Sequence, residues 1–311
     1  MSIVNLLTIY TPLVGWTGVG WLLGRWLPKS TPVYLGKFLF RFGVPLGIFA
    51  FLRHTQISWS LWLAPVTAWS AIALGAGLSA IALRWWRPQL QTQPGWNQRT
   101  QGSFVLATMF GNTGYIGFPV SLTLVGTEYF AWALFYDLLG STLGAYGLGV
   151  ALAARFSDRP HHPGQAFQAL LRNPALGSFG VGLICRDVPL PAIVETALQG
   201  VAWGAISLSL VLVGMRLSQL TSLKKLRTAL ISVNIKMLLV PLILGTGLWL
   251  LGVTGLEHRV ILLQMAMPPA FATLVIAEAY ELDQELAVTA IAIGCLELLI
   301  LLPIWLWLFS G

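Results

Sequence analysis

Nine consecutive residues, Gly111-Asn112-Thr113-Gly114-Tyr115-Ile116-Gly117-Phe118-Pro119, place three glycines, a carboxamide, two hydroxyls and a proline inside a long apolar run. Glycine and proline are poor helix formers. At membrane depth an unwound stretch must line a cavity or find internal partners for its freed N–H and C=O groups. Such groups, at the ends of half-helices, hold substrates in many secondary transporters. The half-helix that restarts after a break presents unpaired N–H donors and a partial positive charge, which suits an anion. Asn112 adds donors and an acceptor, and Thr113, Tyr115 and the more distant Thr273 add hydroxyls. Gly111, Asn112, Thr113, Gly114, Tyr115 and Pro119 are therefore candidate substrate-binding residues, and a carboxylate is the group they match. The competing reading is structural: the glycines let helices approach closely and Asn112 satisfies a neighbouring helix.

The composition says what must position these residues. Of 311 residues, 56% are hydrophobic and 9% charged, and the mean hydropathy is +0.77. Soluble domains are typically about 25% charged, so one integral membrane domain is expected. Ten apolar segments are centred near Gly15, Val44, Leu74, Asn112, Leu139, Gly180, Ser207, Pro241, Pro268 and Leu298. Runs of roughly 20 apolar residues span as helices, not as barrel strands. The 14 Trp suit interfacial belts. Cys185 and Cys295 lie in apolar stretches, so no disulfide framework is expected. No basic region precedes the first apolar run, which reads as a retained span and not a cleavable signal.

The net charge of +7 is topological, because the charges sit between apolar segments. No nucleic-acid partner is expected. With the connection after the first span taken as inside, Arg25, Lys29, Lys37, Arg41, Arg84, Arg87, Arg99, Arg155, Arg159, Arg172, Arg216, Lys224, Lys225 and Arg227 fall inside. Only Arg53, Arg186 and Arg259 fall outside, and Lys236 lies within a span. The positive-inside rule then puts both termini outside. The last inside connection dissents, carrying Glu281, Asp283 and Glu285, but acidic residues weigh little in topology.

The chain repeats itself. Pro12, Gly15, Gly18, Val19 and Gly20 recur as Pro174, Gly177, Gly180, Val181 and Gly182, an offset of 162 residues. Five spans per half is odd, so the halves run in opposite orientations, as in many transporters. The fourth and ninth spans become counterparts, and both are broken, the ninth at Pro268-Pro269. Paired interruptions in matching spans point to a midplane site, which adds Pro268, Pro269 and Thr273 to the candidates.

The Gly111–Pro119 segment resembles the GNxGxxGxP signature of the auxin efflux carrier (PIN-like) family. Met267-Pro268 with Ala277 and Tyr280, Lys236 with Pro241, and partly Ser207-Leu208 with Gly214 also match. The resemblance spans essentially the whole chain and is to a bacterial-type member. It implies an all-α polytopic membrane protein of ten transmembrane helices in two inverted five-helix repeats, about 1–155 and 172–311. Helices 1, 2, 6 and 7 would form a scaffold. Helices 3–5 and 8–10 would form a transport domain in which the broken helices 4 and 9 cross at the substrate. It also implies elevator-type secondary transport of a small organic anion, auxin-like or a dicarboxylate, across a bacterial inner (plasma) membrane, and a homodimer through the scaffold. The chain lacks the long hydrophilic central loop of many plant members, its central connection running from about Phe156 to Leu171, and its third span has no charged residue.

Ionisable residues inside a membrane are functional suspects. Lys236 lies about nine residues, or about 13 Å, into the eighth span. Asp137 and Glu297 are 160 residues apart, close to the repeat offset. All three are candidates for coupling to a proton or sodium, with Glu297 foremost and a Lys236–Glu297 ion pair as the structural alternative. Arg53, His54, His258, His161 and His162 read as loop residues, and no metal or other cofactor is expected. No nucleophile elbow, phosphate loop or zinc-protease motif is present, so an enzyme is not expected. A channel, receptor or intramembrane enzyme using the same polar midplane is the rival reading. A channel would want a continuous polar stripe.

Overall fold

The computed structural model describes residues 3–53, 55, 57–85, 96–157, 168, 171–219 and 225–309. Ser2, His54, Arg87, Arg159, His161, His162, Lys224 and Ser310 lie outside the described residues, as does most of the central connection. All regular structure among the described residues is helical. In chain order the helices are α1 (Ile3–Trp26), α2 (Thr31–Leu52), α3 (Trp59–Trp85), α4 (Gln98–Met109), α5 (Thr113–Val125) and α6 (Phe130–Phe156). They continue with α7 (Pro174–Ile184), α8 (Ala192–Ser218), α9 (Leu226–Leu250), α10 (Gly255–Met265), α11 (Phe271–Ala279) and α12 (Gln284–Leu308). By length and composition α2, α3, α6, α8, α9 and α12 are able to cross a membrane. The fourth expected span is divided between α4 and α5, and the ninth between α10 and α11.

Side-chain caps start several helices. Asn97 accepts from the Thr100 N–H at 2.9 Å, Asn173 from Ala175 at 2.9 Å, and Asp283 from Leu286 at 2.9 Å. Each takes up one N–H orphaned at a helix start. Three prolines inside helices have a shared consequence. Pro45, Pro119 and Pro241 follow wide π turns at Leu39–Gly43, Thr113–Gly117 and Ile235–Leu239. Proline has no N–H and its ring collides with the carbonyl four residues back. A π turn at that carbonyl relieves the collision by lengthening the loop of backbone.

Two sets of helices pack among themselves. α1 runs along α8, and α2 packs on α7 and α8. In the other set α3 packs on α4 and α6, α9 on α4, α10 and α12, α10 on α5 and α6, and α11 on α4, α6 and α12. The sets touch where α5 meets α1 and α8 and where α6 meets α2. Each set has a polar clamp at one end. Arg53 donates to the Cys185 carbonyl at 2.8 Å and the Val188 carbonyl at 2.7 Å and pairs with Glu195 at 3.3 Å, tying α2 to α7 and α8. In the second set Asp283 accepts from Thr100 Oγ1 at 2.7 Å and pairs with Lys225 at 3.2 Å, joining the starts of α4, α9 and α12. Asp283, one of the three acids of that connection, is therefore a cap and an ion-pair partner. Arg53 stands in the turn just past α2, as the loop reading expects, and is clamped there; the loop reading of His258 is corrected, since it is buried within α10, 2.9 Å from the Gly245 carbonyl.

The repeated glycines divide in the same way in both halves. Gly15, Gly18, Gly177 and Gly180 have open space where a side chain would stand, whereas Gly20 abuts the Val211 backbone and Gly182 abuts Leu52. On the partner helix, a Cβ at Gly214 would strike the Thr17 carbonyl. Close backbone approach of this kind holds helices together in lipid. Gly214→Ala should therefore destabilise the α1–α8 pair by about 1–3 kcal/mol, the usual cost of overpacking, while Gly18→Ala should change little. Thermal unfolding of the two variants in detergent checks this, and equal midpoints would contradict it.

A candidate substrate site where two helix breaks meet

The two interrupted segments touch through their breaks. Gly111 and Pro269 form an isolated antiparallel bridge. The Asn112 N–H donates to the Pro268 carbonyl at 2.7 Å, and the Ala270 N–H donates to the Phe110 carbonyl at 3.0 Å. In this register the bridged pair itself exchanges no hydrogen bonds. Pro269, which has no N–H to give, therefore occupies a position where none is needed. Gly111 is required for a different reason. A Cβ there would stand 3.1 Å from Lys236 Cε and 3.3 Å from the Met267 carbonyl oxygen. Behind the bridge, Pro268 and Pro269 rest on Gly294 of α12, where a Cβ would approach them to 2.7 and 2.8 Å.

Four helix ends converge here, and a buried charge attends two of them. Lys236, 2% exposed, donates from Nζ to the Met265 carbonyl at 2.6 Å. Met265 is the last residue of α10, where the helix dipole is negative. Asp137 is buried at the start of α5, where the dipole is positive, and the hydroxyls of Thr113 and Thr142 donate to it. Gly114 leaves room in front of this carboxylate. Both charged residues stand on π turns, Asp137 in Tyr136–Thr142 and Lys236 in Ile235–Leu239.

The polar candidates differ in what they have left to offer. Thr113 is engaged by Asp137, and the Thr273 hydroxyl donates to the Ala270 carbonyl at 2.7 Å. Asn112 caps α5, its Oδ1 accepting from the Tyr115 N–H at 3.2 Å. Its Nδ2 is buried and has no hydrogen-bond partner among the described residues. The Tyr115 ring meets Phe271 edge to face at 6.0 Å. Pro119 and Gly114 line a small cavity, about 20 Å³, between α5 and the small residues Gly43, Gly47, Ala202 and Ala205 of α2 and α8. Pro268 contributes its carbonyl to the bridge.

A family profile described as "Membrane transport protein" matches residues 164–306. An uncharacterised transporter of Methanocaldococcus jannaschii is 28% identical over 212 residues, covering 67% of this chain and 68% of that protein. A second uncharacterised transporter, of Methanothermobacter thermautotrophicus, is 28% identical over 212 residues, covering 67% of each. Over these segments the chain is similar to membrane transport proteins.

Glu297 stands apart from the other coupling candidates. Its recorded partner is Asn234, whose Nδ2 is 3.5 Å from Oε1, and no ion pair joins it to Lys236. The expected alternative of a Lys236–Glu297 pair is therefore not formed; Lys236 serves a backbone carbonyl instead. No group of three potential metal ligands occurs among the described residues. One pair of site residues was missed from the sequence. Gln264 on α10 donates from Nε2 to Ser121 Oγ on α5 at 3.0 Å, and its Oε1 is buried without a partner. Gly117 makes space for this amide, since a Cβ there would lie 2.5 Å from Oε1. The available signal was a lone carboxamide inside an apolar run.

Proposed function

We propose that this protein is a membrane transporter, a secondary active carrier of a small organic anion working by alternating access with an elevator-type displacement. The observation that carries the reading is the unpartnered Nδ2 of Asn112 beside the Gly111–Pro269 bridge. A buried donor without a partner costs about 1–3 kcal/mol, and a bound carboxylate would relieve that cost. The proposal includes ten spans in two inverted repeats, with α4–α5 and α10–α11 as the broken counterparts. The separate packing of α1, α2, α7 and α8 supports their role as a scaffold, on which a homodimer would form. Gly43, Gly47, Ala202 and Ala205 at the cavity between α2, α8 and α5 leave few side chains to obstruct sliding there. Asp137, buried at the crossing, becomes the foremost site for coupling to a proton or sodium. Membrane placement follows the charge asymmetry: both termini outside, in the plasma membrane of a bacterial cell.

Two experiments test this. Asn112→Ala should leave the protein folded and weaken substrate binding by the loss of one charge-assisted hydrogen bond, about 1.5–3 kcal/mol, or roughly ten- to a hundredfold. The substrate is found first by a thermal-shift screen of carboxylic and amino acids and confirmed by liposome flux. Unchanged affinity would remove Asn112 from the site. For topology, single cysteines at Ser2 or Ser310, in a background lacking Cys185 and Cys295, should react with an impermeant reagent on intact cells. Protection of both until lysis would reverse the orientation.

A further inference from the structure

The geometry points to Arg216 as an anion ligand that serves the crossing from one side of the membrane only. The inference rests on the carrier reading above. A cavity of about 160 Å³ lies between α8, α11 and α12. Its wall is apolar, formed by residues such as Val213, Leu217, Leu274 and Ile291, and its charged members are Arg216 and Glu278. Phe271, Leu274 and Glu278 share one face of α11, being three and seven residues apart. Phe271 follows the bridge directly and touches Tyr115, so the cavity leads from the crossing to the exposed Glu278.

Arg216 is half-buried, and among the described residues its guanidinium makes no hydrogen bond or ion pair. Its electrostatic neighbours are Glu278 and Tyr115. A guanidinium fork matches a carboxylate in two parallel hydrogen bonds. An apolar cavity of about 150 Å³ accommodates benzene, so this one takes a ring-sized body beside the carboxylate. Glu278 faces the same space and repels a second negative charge. The favoured ligand is thus a monoanion with an apolar body.

The one-sidedness follows from where Arg216 is attached. It belongs to α8, whereas Asn112 and the bridge belong to the other set of helices. When that set slides past α8, a bound anion keeps Asn112 and leaves Arg216 behind. Arg216 lies at the end of α8 that adjoins the basic connection, hence at the inner face.

Benzoate is the probe, with benzamide, phthalate and phenylalanine as neutral, dianionic and zwitterionic comparisons, titrated calorimetrically into the purified full chain. The wild type should bind benzoate at least about tenfold more tightly than any of the three. Arg216→Gln should weaken benzoate roughly ten- to a hundredfold, and Arg216→Lys by less. In proteoliposomes of known orientation, Arg216→Gln should raise the half-saturating benzoate concentration about tenfold at the inner face and less than about twofold at the outer face. Asn112→Ala should raise it at both. Loss in Asn112→Ala with no change in Arg216→Gln would overturn the Arg216 assignment and leave the carrier reading standing. Loss in Arg216→Gln with no change in Asn112→Ala would keep Arg216 and overturn the crossing site. Equal effects of Arg216→Gln at both faces would overturn the one-sided role. Failure of the wild type to bind benzoate, or equal binding of phthalate or phenylalanine, would overturn the ligand chemistry.

Discussion

Asp137→Ala should reduce substrate flux by more than about a hundredfold. The carboxylate accepts from the hydroxyls of Thr113 and Thr142 and lies at the positive end of α5. Hydrogen bonds to a charged group contribute about 1.5–3 kcal/mol each. Losing two of them at the break is enough to displace Thr113 and the turn it starts, and each 1.36 kcal/mol in a barrier is about tenfold in rate. The conservative variant separates architecture from coupling. Asp137→Asn keeps the volume and one acceptor oxygen but removes the charge. It should permit substrate exchange in proteoliposomes and abolish acceleration by a pH gradient. Glu297→Gln, whose parent side chain meets Asn234 away from the bridge, should leave gradient-driven flux intact. Normal gradient-driven flux in Asp137→Asn would exclude proton coupling at this residue and leave a sodium ion to be tested.

Lys236→Met should be more damaging still, because it strikes stability and transport together. The ammonium is the recorded side-chain donor to the Met265 carbonyl, and it is almost fully buried. Methionine fills much of the same volume but donates nothing. The charge-assisted bond is lost at about 1.5–3 kcal/mol, and a carbonyl left bare in a water-poor interior costs a comparable amount again. Purified Lys236→Met should unfold at a clearly lower temperature in detergent and show no flux above empty liposomes. Lys236→Gln, which restores a donor without charge, should recover part of the stability. A Lys236→Met protein with the wild-type midpoint and flux would mean that Met265 has another donor.

Much of this arrangement was legible in the chain because lipid permits few backbone solutions. Glycine, asparagine and proline inside an apolar run have to mark a break, and two breaks at matched positions have to be partners. The sequence therefore pointed to Gly111, Asn112 and Pro269 before any coordinates. It did not say that Pro269 would sit at the bridged position without hydrogen bonds, which depends on register between segments some 150 residues apart. Nor did it say which acid would meet the crossing. Asp137 and Glu297 look equivalent by offset, but side-chain direction separates them: Asp137 points into the break and Glu297 toward Asn234. From the sequence Lys236 reads as a coupling residue or as the partner of Glu297, and its actual partner, a backbone carbonyl, carries no sequence signal at all. Arg216 was counted among topological charges, since only the cavity around it distinguishes it from its basic neighbours.

The wide turns before Pro45, Pro119 and Pro241 have a consequence for helical phase. An α-helix advances about 100° per residue, so a turn that admits one extra residue rotates everything beyond it by about that angle. In α9, Thr228, Ala229, Ser232 and Val233 are buried before the turn, and Val240, Pro241, Gly245 and Leu248 after it. In ordinary winding these two stripes would lie more than about 90° apart around the helix; the extra residue in the turn brings the second back toward the face of the first. Rewinding 235–239 as ordinary helix with every residue kept would swing the second stripe about 100° off its partners, whereas deleting one residue there would restore ordinary winding and leave the stripe in place. The wide turn is thus a surplus residue that the helix can lose without losing the register of its far half.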